Sequence, residues 1–242
     1  MRFVVYGWRA RLGLIIPANN TVIEPELNKI APTGVSVHAT RIWAEGKSME
    51  DQLRSMEERA RDRIVELGVA EVDVIVYACM ATGLVKGLQW AEAFASLIEK
   101  DHGIRATTAS RATVAALRHL SVKKIALVTP YPPELSHLLL SFFKSCGFEV
   151  TGVRNFPISD LREVCRVPPE MAYRLGRDLK GVEFELICIM ATDFRTVEAI
   201  EALEQDLAKP VISTNQAILW QALRIAGVNE EISGYGILLR NT

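Results

Sequence analysis

The chain has no GxGxxG run and no GxxxxGK[ST] run, so it shows no dinucleotide site and no phosphate cradle. Its four histidines, His38, His102, His119 and His137, are scattered without metal-ligand spacing, and its four cysteines, Cys79, Cys146, Cys165 and Cys188, include no CxxC pair. Neither a zinc site nor a disulfide framework is expected, and any chemistry should run on side chains alone, without cofactor or metal. No apolar stretch approaches the roughly 20 residues that span a bilayer, and the N-terminal run Met1–Tyr6 is too short for a signal-peptide core, so a cytoplasmic location is expected. A formal net charge of −1 gives no positive footprint for nucleic acid or an anionic membrane. The expected partner is a small molecule, and the expected assembly a homo-oligomer.

What is present is apolar alternation. With 242 residues, 49% of them hydrophobic, the chain can bury a sizeable core. Short β-branched runs at 12–16, 35–40, 73–78, 104–107, 124–129, 148–152, 185–190 and 210–213 predict strands, with a further one at 235–239. Helical periodicity predicts helices at 24–30, 49–67, 83–100, 110–119, 133–145, 168–179, 194–207 and 215–226. In 49–67, for example, Met49, Leu53, Met56, Ala60 and Ile64 form one stripe, with Glu57, Glu58, Arg61 and Asp62 on the other side. This is the pattern of an α/β chain whose mainly parallel sheets carry helices on both faces.

The alternation repeats. Pro17 closes one strand-like run and Pro130 another, 113 residues on; Cys79 and Thr192, each after an apolar run, stand 113 apart again. Ala116-Leu117-Arg118 returns as Ala222-Leu223-Arg224 at the shorter offset of 106. The organisation expected is a first half of residues 1–110 plus 215–242, and a second half of 111–214, facing each other across a cleft. Ligands of open α/β sheets sit beyond the carboxyl ends of the strands, where Asn19, Cys79, Tyr131 and Thr192 all fall.

Cys79 precedes Met80-Ala81-Thr82-Gly83, a turn into a helix, so backbone N–H groups should lower its thiol pKa from about 8.5 toward neutrality. Cys146, Cys165 and Cys188 take no role. The loop Pro17-Ala18-Asn19-Asn20-Thr21 holds more amide and hydroxyl groups than one helix cap needs, and the surplus suits a carboxylate. Tyr131, at the matching place in the second half, can offer its phenol to a second carboxylate. Thr108, Ser110, Ser213, Thr214 and Asn215 follow further strands, and helix capping is the simpler reading for them.

The stretches Gly13–Glu24, Val76–Cys79, Ile125–Tyr131 and Val211–Asn215 together resemble the aspartate/glutamate racemase superfamily, in particular its maleate isomerase and arylmalonate decarboxylase branch. The resemblance runs over nearly the whole chain. It implies two pseudo-symmetric Rossmann-like halves with the active site between them, and cofactor-free chemistry at the carbon next to a carboxylate. It also implies Cys79 as catalytic thiol, paired with Thr192 where relatives that racemise or isomerise usually carry a second cysteine. Asn19, Asn20, Thr21, Met80, Tyr131, Asp193 and Asn215 would contact the substrate, a small dicarboxylic acid. A threonine hydroxyl is a poor proton-exchanging group near neutrality, which argues against two-base racemisation. Three activities follow: maleate-type cis–trans isomerisation by one thiolate, arylmalonate-type decarboxylation with one cysteine as acid, or binding of a dicarboxylate without turnover. Asp193 adds a negative charge that opposes a dianion unless Arg162, Arg166 or Arg195 compensates.

Overall fold

The computed structural model describes residues 5–158 and 160–241. Among them, eight strands form two four-stranded sheets. The first sheet contains β1 (Ala10–Pro17), β2 (Val35–Ile42), β3 (Val74–Tyr77) and β4 (Arg105–Thr108), in the order β2-β1-β3-β4. The second contains β5 (Lys124–Thr129), β6 (Glu149–Asn155), β7 (Leu186–Ile189) and β8 (Val211–Ser213), in the matching order β6-β5-β7-β8. Every strand pairing is parallel. Such strands are covered on both faces, which is why β3 and β7 are apolar throughout.

The helices between them are α1 (Ile23–Ile30), α2 (Met49–Val69), α3 (Met80–His102), α4 (Ala109–His119), α5 (Pro133–Ser145), α6 (Leu161–Val164), α7 (Pro169–Arg177), α8 (Val197–Leu207), α9 (Thr214–Ala226) and α10 (Ile237–Arg240). Their starts follow local chemistry. The Ser48 hydroxyl accepts from Asp51 N–H at α2, Thr108 from Arg111 N–H at α4, and Ser213 forms a reciprocal capping box with Gln216 at α9. The run 235–239, expected as a strand, is instead entered through Gly236 (φ 83°) and becomes the short helix α10. Carboxylates of α8 fix that turn: Glu204 accepts from Ile237 N–H, and Glu201 from Gly236 N–H.

Alternation along β1 sends its side chains to two clusters. Leu12, Leu14 and Ile16 join a large core that reaches through β5 and β7 to α8, α9 and α10. Ile15 joins a smaller one built with the apolar stripe of α2 and with Tyr77, Phe94 and Ile98. Helix α9 follows the last strand of the second sheet but packs on β1, β3 and β4 of the first, and on α4. Gly83 lets α3 approach α4: a Cβ there would lie 2.2 Å from Ser110 Oγ. These contacts bring the carboxyl ends of β1, β3, β5 and β7 to one crevice.

Candidate active site

Asn20 is the first fixed point of the crevice. Its Oδ1 accepts from Val22 N–H (2.9 Å) and Ile23 N–H (3.1 Å), capping the turn into α1, while Nδ2 donates to Thr192 Oγ1 (3.1 Å) in the other half. The Thr192 hydroxyl in turn donates to the carbonyl of Ala78 (3.3 Å). One side chain therefore serves as cap and as cross-link. Residue 79 follows directly on one side of that link, residue 193 on the other.

Cys79 is the residue preceding α3, with extended backbone (φ −120°, ψ 108°) and no side-chain capping bond. It keeps 7% of its surface exposed, whereas Cys188, inside β7, has none. Asn20, Tyr131 and Thr192 are buried as well, so the crevice is nearly closed. The thiol pKa is raised, not lowered as the sequence suggested. Burial is the largest cause, because removing water penalises the thiolate, and the Asp193 charge adds to it. The Thr82 hydroxyl and the N–H groups of Thr82 and Ala81 act in the opposite sense and lose.

Asp193, half-buried, is raised from the ordinary 3.8 to about 6, again by burial. It makes no ion pair among the described residues. Arg162 is taken by Asp160, Arg166 by Glu163 and Arg195 by Glu198, so none of the three compensates it. Tyr131 is pushed well above its usual value by burial, then by Asp193 and Cys79. Its main chain is fixed by Thr129 Oγ1, which accepts its N–H, and by Asn155 and Ser136, which donate to its carbonyl. Its phenol makes no hydrogen bond among the described residues, leaving it free to donate.

Strand register refines the repeat. In the first sheet Ile15 pairs with Tyr77, and Ala78 N–H reaches the Ile15 carbonyl; in the second Val128 pairs with Ile189, and Met190 N–H reaches the Val128 carbonyl. Cys79 therefore corresponds in the second sheet to Ala191, one residue before Thr192. Ala191 has φ 96°, a conformation uncommon for a residue with a Cβ. That turn carries Thr192 and Asp193 toward the first half.

Other expected site residues lie elsewhere. Asn19 and Thr21 are exposed; the Asn19 carbonyl accepts from Cys165 Sγ (3.4 Å), and Thr21 borders a surface pocket of about 300 Å³ with Lys29 and Arg195. Met80 packs into the larger core. Asn215 is fully buried, and its Nδ2 donates to the Thr192 carbonyl (3.1 Å) and to Glu26 Oε2 (2.6 Å). Sequence reasoning missed Glu26. Its Oε1 accepts from Thr196 N–H (2.6 Å) and Val197 N–H (3.2 Å), so a carboxylate of α1 caps the start of α8 in the other half. Burial raises its pKa from the ordinary 4.5 to about 7, against the pull of those bonds. The available signal was position: Glu26 lies on the stripe of Ile23, Leu27 and Ile30.

A cavity of about 610 Å³ forms an open groove between α2 and α3, away from these residues. No group of His, Cys, Asp or Glu among the described residues could hold a metal. No helix among them is long and apolar enough to cross a membrane.

The arylmalonate decarboxylase family model matches residues 12–239. The chain belongs to that family. A maleate isomerase of Pseudomonas putida is 27% identical over 95% of this chain and 96% of its own length. The arylmalonate decarboxylase of Bordetella bronchiseptica is 27% identical over 93% of this chain and 91% of its own. Among solved structures, the Nocardia farcinica maleate cis-trans isomerase superposes with a TM-score of 0.86 at 26% identity, covering 96% of this chain and 98% of that one. That structure is a cysteine-to-serine mutant with a covalently bound succinylcysteine intermediate. The family thus spans isomerases and decarboxylases, and the two parallel sheets with flanking helices are its fold, as the motifs implied.

Proposed function

We propose that the protein is a cofactor-independent cis–trans isomerase of maleate or a closely similar unsaturated dicarboxylate, with Cys79 as nucleophile. The Cys79 sulfur adds to one olefinic carbon, and the π pair moves onto the carboxylate at the other carbon as an enediolate. The former double bond rotates, the pair returns, and the C–S bond breaks to release fumarate. One thiol suffices for this sequence, and the retained Cys79 in the crevice is the observation that carries the reading. The succinylcysteine in the Nocardia farcinica relative, formed with one of that enzyme's cysteines replaced, is the corresponding adduct in a homologue.

The buried surroundings supply roles for the remaining groups. Backbone N–H groups at the start of α3 face the sulfur side and would stabilise the developing enediolate. The Tyr131 phenol, protonated and unpaired, would hold one carboxylate. The Asn20–Thr192 pair would meet the other, exchanging its mutual hydrogen bond for bonds to substrate oxygen. Asn215 and Glu26 position that pair through the Thr192 carbonyl and the α8 terminus.

A second reading is decarboxylation of a substituted malonate with Cys79 as the only carbon acid. It draws on Ala191, which has no exchangeable proton at the position matching Cys79. Incubation with maleate and with 2-methyl-2-phenylmalonate separates the two: fumarate supports isomerisation, and carbon dioxide with single-handed 2-phenylpropanoate supports decarboxylation. Neither product from folded protein refutes both.

A further inference from the structure

The nearly closed crevice leaves a problem that the isomerase reading does not solve. Addition needs a thiolate, and the sulfur sits where the thiol form is favoured. A proton acceptor must therefore face it. Three titratable groups interact with it. Tyr77 lies on the strand that delivers Cys79, with its hydroxyl 3.3 Å from Thr82 Oγ1, and is pushed far above its ordinary value. Tyr131, from the loop after β5, is likewise held as a neutral phenol. Asp193, from the turn after β7, interacts with both Cys79 and Tyr131 and has no cationic partner. Among these only a carboxylate can accept a proton near neutral pH.

Geometry brings the two chain segments together. The Thr192 hydroxyl is bonded to the Ala78 carbonyl, so the chain segments carrying Cys79 and Asp193 are tied one residue upstream of each. The positive φ of Ala191 and the Asn215 bond to the Thr192 carbonyl fix the turn that presents Asp193. An uncompensated carboxylate beside a buried thiol opposes binding of a dianion, a cost that a purely substrate-holding role would leave unexplained.

We propose that Asp193 is the base that takes the proton of Cys79 during attack and returns it when the sulfur leaves. This deepens the isomerase reading and rests on it for the carbon chemistry. In the forward step the S–H bond breaks, the Asp193 carboxylate gains the proton, the S–C bond forms and the π pair moves to the substrate carboxylate. In collapse the pair re-forms the double bond, the S–C bond breaks and sulfur recovers the proton. No other reactant is needed. Neutralising Asp193 in the first step also relieves its repulsion of the growing enediolate.

The test is alkylation of Cys79 by iodoacetamide, followed by peptide mass spectrometry across about pH 5 to 10, in the full chain, D193N and D193E. A thiol sharing its proton with a carboxylate gives two limbs. Wild type should show a first rise near pH 6, as Asp193 ionises, then a plateau, then a second rise as the pair loses its last proton. D193N should keep a single rise, moved to lower pH because the neighbouring charge is gone, yet lose about 10²- to 10⁴-fold in maleate turnover. D193E should restore the first limb. A wild-type profile with no lower limb, a lower limb that persists in D193N, or no labelling of Cys79 at any pH overturns the proposal. Two limbs in wild type without any fumarate overturn the isomerase reading and leave the proton pair standing.

Discussion

Glu26 offers the most quantitative test of how the two halves are joined. Its carboxyl lies in a buried cluster with Asn215, Thr196 and Val197, and its pKa climbs from the ordinary 4.5 to about 7. A raised carboxyl pKa means that the folded state binds the proton more tightly than the unfolded one. The stability that the neutral form supplies is fully present below about pH 4.5 and is lost as pH rises through about 7. At about 1.4 kcal/mol per tenfold change in proton affinity, the ionised group costs the fold about 3 kcal/mol above that window. Glu26→Gln approximates the neutral acid at every pH. Any fixed penalty from its amide facing the Asn215 amide is the same at each pH and cancels when pH values are compared. Urea unfolding at pH 5 and pH 8 should show the variant gaining about 2–3 kcal/mol on wild type between the two. Because Asp193 and Glu204 are also raised, the difference between the proteins is the meaningful quantity, not the slope of either. Parallel pH dependences in wild type and variant would refute the buried-carboxyl account of this junction.

Other outcomes follow from the same contacts. Cys79→Ala should abolish fumarate formation while costing the fold about 1–2 kcal/mol, checked by product analysis and by denaturant midpoint. Thr192→Val should leave Asn20 Nδ2 without its acceptor, costing about 1–3 kcal/mol by urea unfolding and lowering turnover. Gly83→Ala should push α3 off α4 against Ser110 and lower stability by about 1–3 kcal/mol, read as a fall in Tm. Tyr131→Phe should raise KM for a dicarboxylate more than it lowers kcat.

The parts legible in the sequence were those encoded locally. All eight internal strands came from apolar runs, and the equal strand orders of the two sheets match the repeat seen at Pro17 and Pro130. The five-residue run ending the chain misled because α10 depends on Glu201 and Glu204 from α8, a tertiary contact that periodicity does not contain. The offset pairing Cys79 with Thr192 was one residue out at β7. Hydrogen-bond register puts Ala191 at that position, and such a slip leaves no trace in a purely numerical repeat. The thiol's pKa was misjudged for a related reason: the helix start that should activate Cys79 was visible, but the desolvation that outweighs it was not. Glu26 and Asn215, 189 residues apart, could be recognised as partners only once α1 and α9 were side by side.

The central claim, that Cys79 forms a covalent bond to an unsaturated dicarboxylate, is tested most directly by mixing the full chain with maleate, quenching in acid and sequencing the cysteine peptides by mass spectrometry. The account predicts a succinyl group on the Cys79 peptide together with fumarate in solution. Folded protein yielding neither, or carrying the adduct on Cys165 instead, would contradict it.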